Sequence, residues 1–470
     1  MVFSSTVFLF VFLPCVLIGY YGVCRGIRMR NCFLLLASLL FYAWGEPVYV
    51  FLMLASILGN YLLGLGIDAA RDKKRKNFLL ILAVVLNLGV LFYFKYLNFL
   101  VDSLNLLLGT RWGVETRRLP IGISFFTFQA MSYVIDVYRG TSAVQRNVLH
   151  LGLYISFFPQ LIAGPIVRYN TIEAQIRNRT VTMDKFQQGI CRFIEGFSKK
   201  IILANVMSVT AESVFAAAGA GSLSVLMAWL GALAYTFQIY FDFSGYSDMA
   251  IGLGRMFGFE FQENFRYPYL SKSVSEFWNR WHISLGQWFR DYVYFPLGGS
   301  RVTKGKLVRN LFVVWLLTGI WHGAAWRFIL WGVGYGTIIT LEKLTGFPKK
   351  NKNKTLAVLY SIFTFLTVVV GWVIFGAPGL KTALYQLGAM VGIGAEGLWD
   401  AGAVFTLSEY LPYFLGAAVF STPVPKMGMR KLKTTRFGWL VQPLVYLGLL
   451  MLSFSFLAIG SHNPFIYFNF

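Results

Sequence analysis

The chain predicts an all-α, polytopic membrane protein with about 11 transmembrane or re-entrant helices gathered around a cavity. Three observations carry that class. Hydrophobic residues make up 57% of the 470 positions and charged ones 13%, whereas soluble domains carry about 25% charged residues. Several stretches run about 20 residues with few charges, enough to span roughly 30 Å of hydrocarbon as helices. Those runs lack the strict alternation of an outer-membrane barrel strand. Basic residues, meanwhile, collect in short loops between the apolar runs.

Taken in order, residues 5–24 form a first helix. The start of the chain has no basic n-region and no small-residue cleavage site, so this run reads as a retained helix and not a signal peptide. Arg25, Arg28 and Arg30 follow it, and Arg71, Lys73, Lys74, Arg75 and Lys76 follow the run 48–68. Short loops rich in Lys and Arg mark the cytoplasmic side. Residues 5–24 therefore cross inward, 31–45 outward, 48–68 inward, 78–100 outward and 119–138 inward. Later, 355–376 lead out, 404–420 return past acidic Glu396, Asp400 and Glu409, and 437–460 lead out again. The parity closes with both termini extracytoplasmic, in a multi-pass protein of the cell (inner or cytoplasmic) membrane. No linker or fixed-period repeat interrupts the chain, so 1–470 reads as one membrane domain with a functional core at about 120–330.

That core differs from both ends. Its apolar runs are broken by Pro, Gly and polar residues, as in Phe157-Phe-Pro-Gln-Leu-Ile-Ala-Gly-Pro165 and Phe241-Asp-Phe-Ser-Gly-Tyr-Ser-Asp248. Irregular backbone at membrane depth is tolerated where it is buried in protein or lines a wet cavity. Residues 311–346 lie between two basic loops on the same side. They must enter and return, with Trp321-His-Gly323 near the turning point.

The net charge of +22 follows from the same loops. Clusters at Arg301–Arg309, Lys349–Lys354 and Lys426–Arg436 read as topology signals facing anionic lipid, and no nucleic-acid partner is expected. Cys15, Cys24, Cys32 and Cys191 have no CxxC spacing and read as small apolar residues. No P-loop, no His-Glu-x-x-His and no zinc-ligand spacing occurs, so no metal is expected.

The chemistry then falls to two of the four histidines. Ionisable groups that persist inside a membrane domain are functional candidates. On a helix through 277–292, Phe277, Trp281, Leu285, Trp288 and Tyr292 share one face, with Asn279, His282, Gly286 and Arg290 opposite. The plain alternative for that pattern is an interfacial helix. His322 lies among Trp315, Trp321, Trp326 and Trp331 and precedes Gly323-Ala-Ala. Dehydration there favours the neutral imidazole that a general base requires; the plain alternative is a histidine that stabilises a helix end. Asp242 and Asp248, with Tyr246 between them, either line a substrate path, orient a base or pair with Arg255 or Arg290. Arg290 and Asp291 form a structural or cofactor-facing pair.

Several ordered blocks carry a resemblance. They are Met1-Val-Phe-Ser-Ser, Pro120-Ile-Gly-Ile-Ser-Phe-Phe-Thr-Phe-Gln129, the Phe157–Pro165 and Phe241–Asp248 segments, and Phe277-Trp-Asn-Arg-Trp-His-Ile-Ser284. Arg290-Asp-Tyr-Val-Tyr-Phe-Pro-Leu-Gly-Gly299, Gly319-Ile-Trp-His-Gly-Ala-Ala-Trp326 and the terminal Asn463-Pro-Phe-Ile-Tyr-Phe complete the set. Together they span the chain in order, and it resembles the membrane-bound O-acyltransferase (MBOAT) family, in its bacterial branch acting on alginate or peptidoglycan. The resemblance implies the family's helical fold around a central tunnel and acyl transfer to oxygen. His322 matches the essential catalytic histidine and His282 the second functional position. Gln160, Asn279, Trp321, Asp242, Tyr246, Arg290 and Asp291 are the residues expected to line the tunnel or contact the donor.

The resemblance further implies acetyl-CoA as acyl donor, with no tightly bound cofactor, and a separate extracytoplasmic SGNH-type acetyltransferase. The acceptor is an extracytoplasmic polysaccharide, reached directly or through that partner. Arg301–Arg309 can attract the anionic CoA nucleotide, besides marking topology. Three rival readings stand beside this one: D-alanyl transfer to teichoic acid, a transporter or flippase built on broken helices, and a scaffold that only anchors an outer enzyme.

Overall fold

The computed structural model describes residues 1–115, 117–349, 351–460 and 466. Among the described residues all regular structure is helical and no strand occurs, as the composition and hydropathy require. Among the described residues, seven helices are long and apolar enough to cross a membrane: Ile27–Gly45, Tyr49–Ala69, Lys73–Leu108, Met183–Ala220, Lys354–Gly376, Ala401–Phe420 and Gly438–Ile459. The about 11 helices expected also include Phe8–Val23, Ile123–Arg139 and the 304–345 segment, which fall short in length or apolar character. Met183–Ala220 is the one of these that lies within the core at about 120–330, whose apolar runs the sequence shows as broken. The terminal block Asn463–Phe468 lies outside the described residues except for Ile466.

The described residues group into two compact units. The first comprises Met1–Phe193 and Met249–Gln262. In it, Asn60 and Asn87 exchange amide hydrogen bonds of 3.2 and 2.8 Å between the helices Tyr49–Ala69 and Lys73–Leu91. The helix Ile123–Arg139 is buried along nearly its whole length. Its Tyr133 ring lies so near Gly64 that a Cβ there would meet the hydroxyl at 2.6 Å; small residues of this kind allow close approach in membrane helix packing. Phe3, Phe8, Phe41 and Phe158 form one aromatic cluster with centroids 5.0–6.5 Å apart. The buried Arg179 donates to the Phe257 carbonyl at 2.9 Å and to Asn31 Oδ1 at 2.6 Å, so its charge is met by oxygens instead of lipid.

The second unit comprises Ile194–Asp248 and Glu263–Ile466. Its centre is a hairpin of Lys304–His322 and Trp326–Thr345, reversing at Gly323–Ala325. Residues 311–346 thus run in and back as their flanking basic loops demand. The two arms meet at Gly319 and Gly332, where a Cβ on Gly332 would lie 2.5 Å from the Trp315 carbonyl. Two buried carboxylates of the helix Val225–Met256 meet lysines of the wide π-turn Lys199–Ala204: Asp242 with Lys200 and Asp248 with Lys199, each at 2.6 Å. These partners replace Arg255 and Arg290, the pairing expected from sequence. The close fit of that turn depends on Gly245, where a Cβ would stand 3.2 Å from the Lys200 backbone nitrogen and 2.7 Å from the Gly196 carbonyl just before the turn. At another edge, Asp400 caps the helix Ala401–Phe420 through the Ala403 N–H at 2.8 Å. A hydrogen bond from the Ser224 hydroxyl holds its carboxyl below the usual carboxylate range.

Candidate active site around two imidazoles

His282 does not sit within one continuous helix. The expected run 277–292 divides into Val274–Arg280 and Ile283–Phe289, with His282 at the junction in the left-handed region, φ 44°. A non-glycine residue pays for that conformation, so local bonds must hold it. Ile283 N–H donates to the Asn264 carbonyl at 3.0 Å, and Ser284 N–H donates to Asn264 Oδ1 at 3.1 Å. On the other flank, Ser273 Oγ caps Val274–Arg280 through the Glu276 N–H. The Glu342 carboxylate accepts the N–H groups of Val274 and Ser275, each at 2.8 Å, and the Tyr360 hydroxyl at 2.8 Å. One carboxylate thereby ties the hairpin arm 326–345 and the helix 354–376 to the segment that leads to His282.

The break changes which predicted faces survive. Phe277, Trp281, Leu285, Trp288 and Tyr292 are all buried, as the aromatic face requires. The opposite face divides: His282 is 3% exposed, whereas Asn279, Gly286 and Arg290 are exposed. The single polar stripe is thus corrected, because the left-handed turn swings His282 inward. Arg290 and Asp291 face each other at 3.6 Å with the arginine half-exposed.

His322 ends the helix Lys304–His322 and is 2% exposed. Its ring is enclosed by Trp321, Trp331 and Phe375, at centroid distances of 4.9, 5.1 and 5.2 Å, all edge-on. Gly323 follows because a side chain there would strike the Phe328 ring. His282 meets the edge of Phe243 at 4.6 Å and Trp321 at 5.9 Å. Trp321 is therefore the ring shared by both imidazoles. Around it, Trp278, Trp281, Trp331 and Trp372 continue the aromatic wall.

The structure brings His282, His322 and Trp321 together. Asp242 and Tyr246 are each 1% exposed on the helix Val225–Met256, and the carboxylate of Asp242 is taken up by Lys200. Gln160 belongs to the first unit, fully buried, with Nε2 donating to the Tyr154 carbonyl at 2.6 Å. Three residues went unread in the sequence: Asn264, Glu342 and Lys200. Lys199-Lys200 does interrupt an apolar run much as Asp242 does, so a signal existed for it. Asn264 carries no charge and meets its partners 18 and 20 positions away, which no local pattern shows.

Two buried imidazoles thus share one indole within a wall of aromatic rings. Burial of this kind excludes bulk water from a reacting centre, and neutral imidazole accepts a proton from a hydroxyl nucleophile.

Comparison with known proteins gives concordant matches. Residues 146–376 match the model of the membrane-bound O-acyltransferase family. A probable alginate O-acetylase AlgI of Pseudomonas putida is 44% identical over 100% of both chains. The probable alginate O-acetylase AlgI of Pseudomonas aeruginosa is 48% identical over 84% of this chain and 75% of its own. The peptidoglycan O-acetyltransferase of Helicobacter pylori is 32% identical over 100% of this chain and 98% of its own.

Proposed function

We propose a specific reaction for this chain, which belongs to the membrane-bound O-acyltransferase family and is a multi-pass membrane O-acyltransferase. It takes an acetyl group from acetyl-CoA on the cytosolic side and delivers it for O-acetylation of an extracytoplasmic polysaccharide, with alginate the leading acceptor. The higher identity to alginate O-acetylases than to the peptidoglycan enzyme supports that choice of polymer. Topology supports the route. The thioester is cytosolic and polysaccharide hydroxyls lie outside, so a tunnel through the protein lets the acyl group react at depth while CoA stays inside. An SGNH-type acetyltransferase on the outer face completes the transfer to polymer.

In this reading His322 is the general base. It takes the proton of the incoming hydroxyl as that oxygen attacks the thioester carbonyl, and the proton then passes to the departing thiolate. His282, across Trp321, hydrogen-bonds the reacting groups. The single observation that carries the assignment is the enclosure of both imidazoles around one indole in a wall of aromatic rings.

His322→Gln, which keeps a polar side chain of similar reach, is expected to lower acetyl transfer about 10²–10⁴-fold at unchanged membrane abundance. Labelled acetyl-CoA supplied to membranes carrying the variant measures it. Wild-type transfer at equal abundance overturns the assignment of the base.

A further inference from the structure

We propose that Asn264 is a positioning residue that holds His282 as the Nδ1–H tautomer, so that Nε2 carries the lone pair turned to the chemistry. Asn264 is 1% exposed. Its side-chain oxygen receives the backbone N–H of Ser284 at 3.1 Å and the Ser284 hydroxyl at 2.9 Å. A backbone N–H can only donate, so the amide atom facing it is the oxygen. This removes the usual ambiguity between the two ends of an asparagine amide. At the other end Nδ2 donates to Ser247 Oγ at 3.2 Å, which agrees with the same orientation.

The oxygen so defined also stands 3.3 Å from His282 Nδ1. An amide oxygen is an acceptor only, so the nitrogen opposite it must carry the hydrogen. Ser284 Oγ, 3.4 Å from the same Nδ1, directs its own hydrogen to the closer Asn264 oxygen and presents a lone pair to the ring. In neutral imidazole one nitrogen donates and the other accepts, and the bond made by one sets the state of the other. Nε2 is thus the acceptor.

The same asparagine also holds the backbone. Its main-chain carbonyl takes the Ile283 N–H at 3.0 Å, so residues on the C-terminal side of His282 are tied to Asn264 twice. That clamp stabilises the left-handed conformation of His282 and turns its ring toward Phe243 and Trp321. The part played by Nε2 in acyl transfer rests on the function proposed above; the tautomer does not.

The test is long-range ¹H–¹⁵N correlation on the full-length protein in detergent, with ¹⁵N-labelled histidines. There are four, and the His282 signals are identified by their loss in His282→Gln. The wild type is expected to show hydrogen on Nδ1. Asn264→Asp keeps an acceptor facing Nδ1 and should keep that tautomer. Asn264→Ala should lose it and lower kcat about 10²-fold, with KM little changed and most of the loss recovered in Asn264→Asp. Hydrogen on Nε2 in the wild type, or on Nδ1 undiminished in Asn264→Ala, overturns the positioning role whatever the activity. If Asn264→Ala fails to fold, the wild-type and Asn264→Asp spectra still decide. If the tautomer changes in Asn264→Ala while kcat holds, the role of Nε2 in the reaction is overturned and the tautomer assignment stands.

Discussion

Lys200 and Asp242 are 3% and 1% exposed in their side chains and meet at 2.6 Å, and the carboxylate also accepts the Ile466 N–H at 2.9 Å. Removing one partner of such a pair leaves a buried charge and typically costs about 3–5 kcal/mol, whereas replacing both is far milder. Lys200→Met should therefore lower the thermal unfolding midpoint in detergent sharply, and Lys200→Met with Asp242→Asn should recover most of it. Equal losses in the single and double variants would show that the pair does not act as a unit. The two histidines were legible in the sequence because ionisable groups are rare in apolar surroundings and these lie beside tryptophans and small residues. The partners of the aspartates were not: Arg255 is near in the chain, on the helix of both aspartates, but Lys199 and Lys200 come from a different helix. Asn264 stayed invisible for a related reason, since its effect depends on where one carbonyl-type oxygen points.

The 304–345 hairpin shows what helix contacts contribute. Its arms touch through Gly319 and Gly332, and the backbone of each occupies the space a side chain would need. Gly332→Ala puts a methyl group 2.5 Å from the Trp315 carbonyl, so the arms must separate. Such overpacking costs about 1–3 kcal/mol and shifts the helix that ends in His322. Both the unfolding midpoint and the acetyl-transfer rate should fall; unchanged values for both would refute a tight hairpin. The hairpin itself was legible, because two basic loops on one side force an apolar segment between them to return. The helix through 277–292 was legible only in part. Its aromatic face holds, but rotation by a constant angle per residue cannot foresee a left-handed residue at 282, which arises from bonds to Asn264. Met183–Ala220 was legible only in part: 201–220 carries the single charge of Glu212, whereas Arg192, Glu195, Lys199 and Lys200 fall in the stretch before it. Part of that charge is answered by Asp242, Asp248 and the Tyr446 hydroxyl on Glu195.

For the molecule as a whole, class and family were legible from composition and ordered motifs, since both are distributed over the entire chain. Its orientation is open to direct measurement. Lys74 and Glu396 are exposed, and the charge of their loops predicts that they lie on opposite sides. In a cysteine-free background, Lys74→Cys should react with an impermeant maleimide only after the membrane is opened, and Glu396→Cys in intact cells. The reverse pattern would invert the proposed direction of acetyl movement. The buried pairs Lys199–Asp248 and Lys200–Asp242 bear also on how the protein is made. A ribosome works from the N-terminus, so both lysines emerge before either aspartate exists. Each lone ammonium at the centre of a nascent span opposes insertion by roughly 2.5–3.5 kcal/mol on translocon scales. Pairing with Asp248 and Asp242 of Val225–Met256 lowers that cost once the second helix has followed.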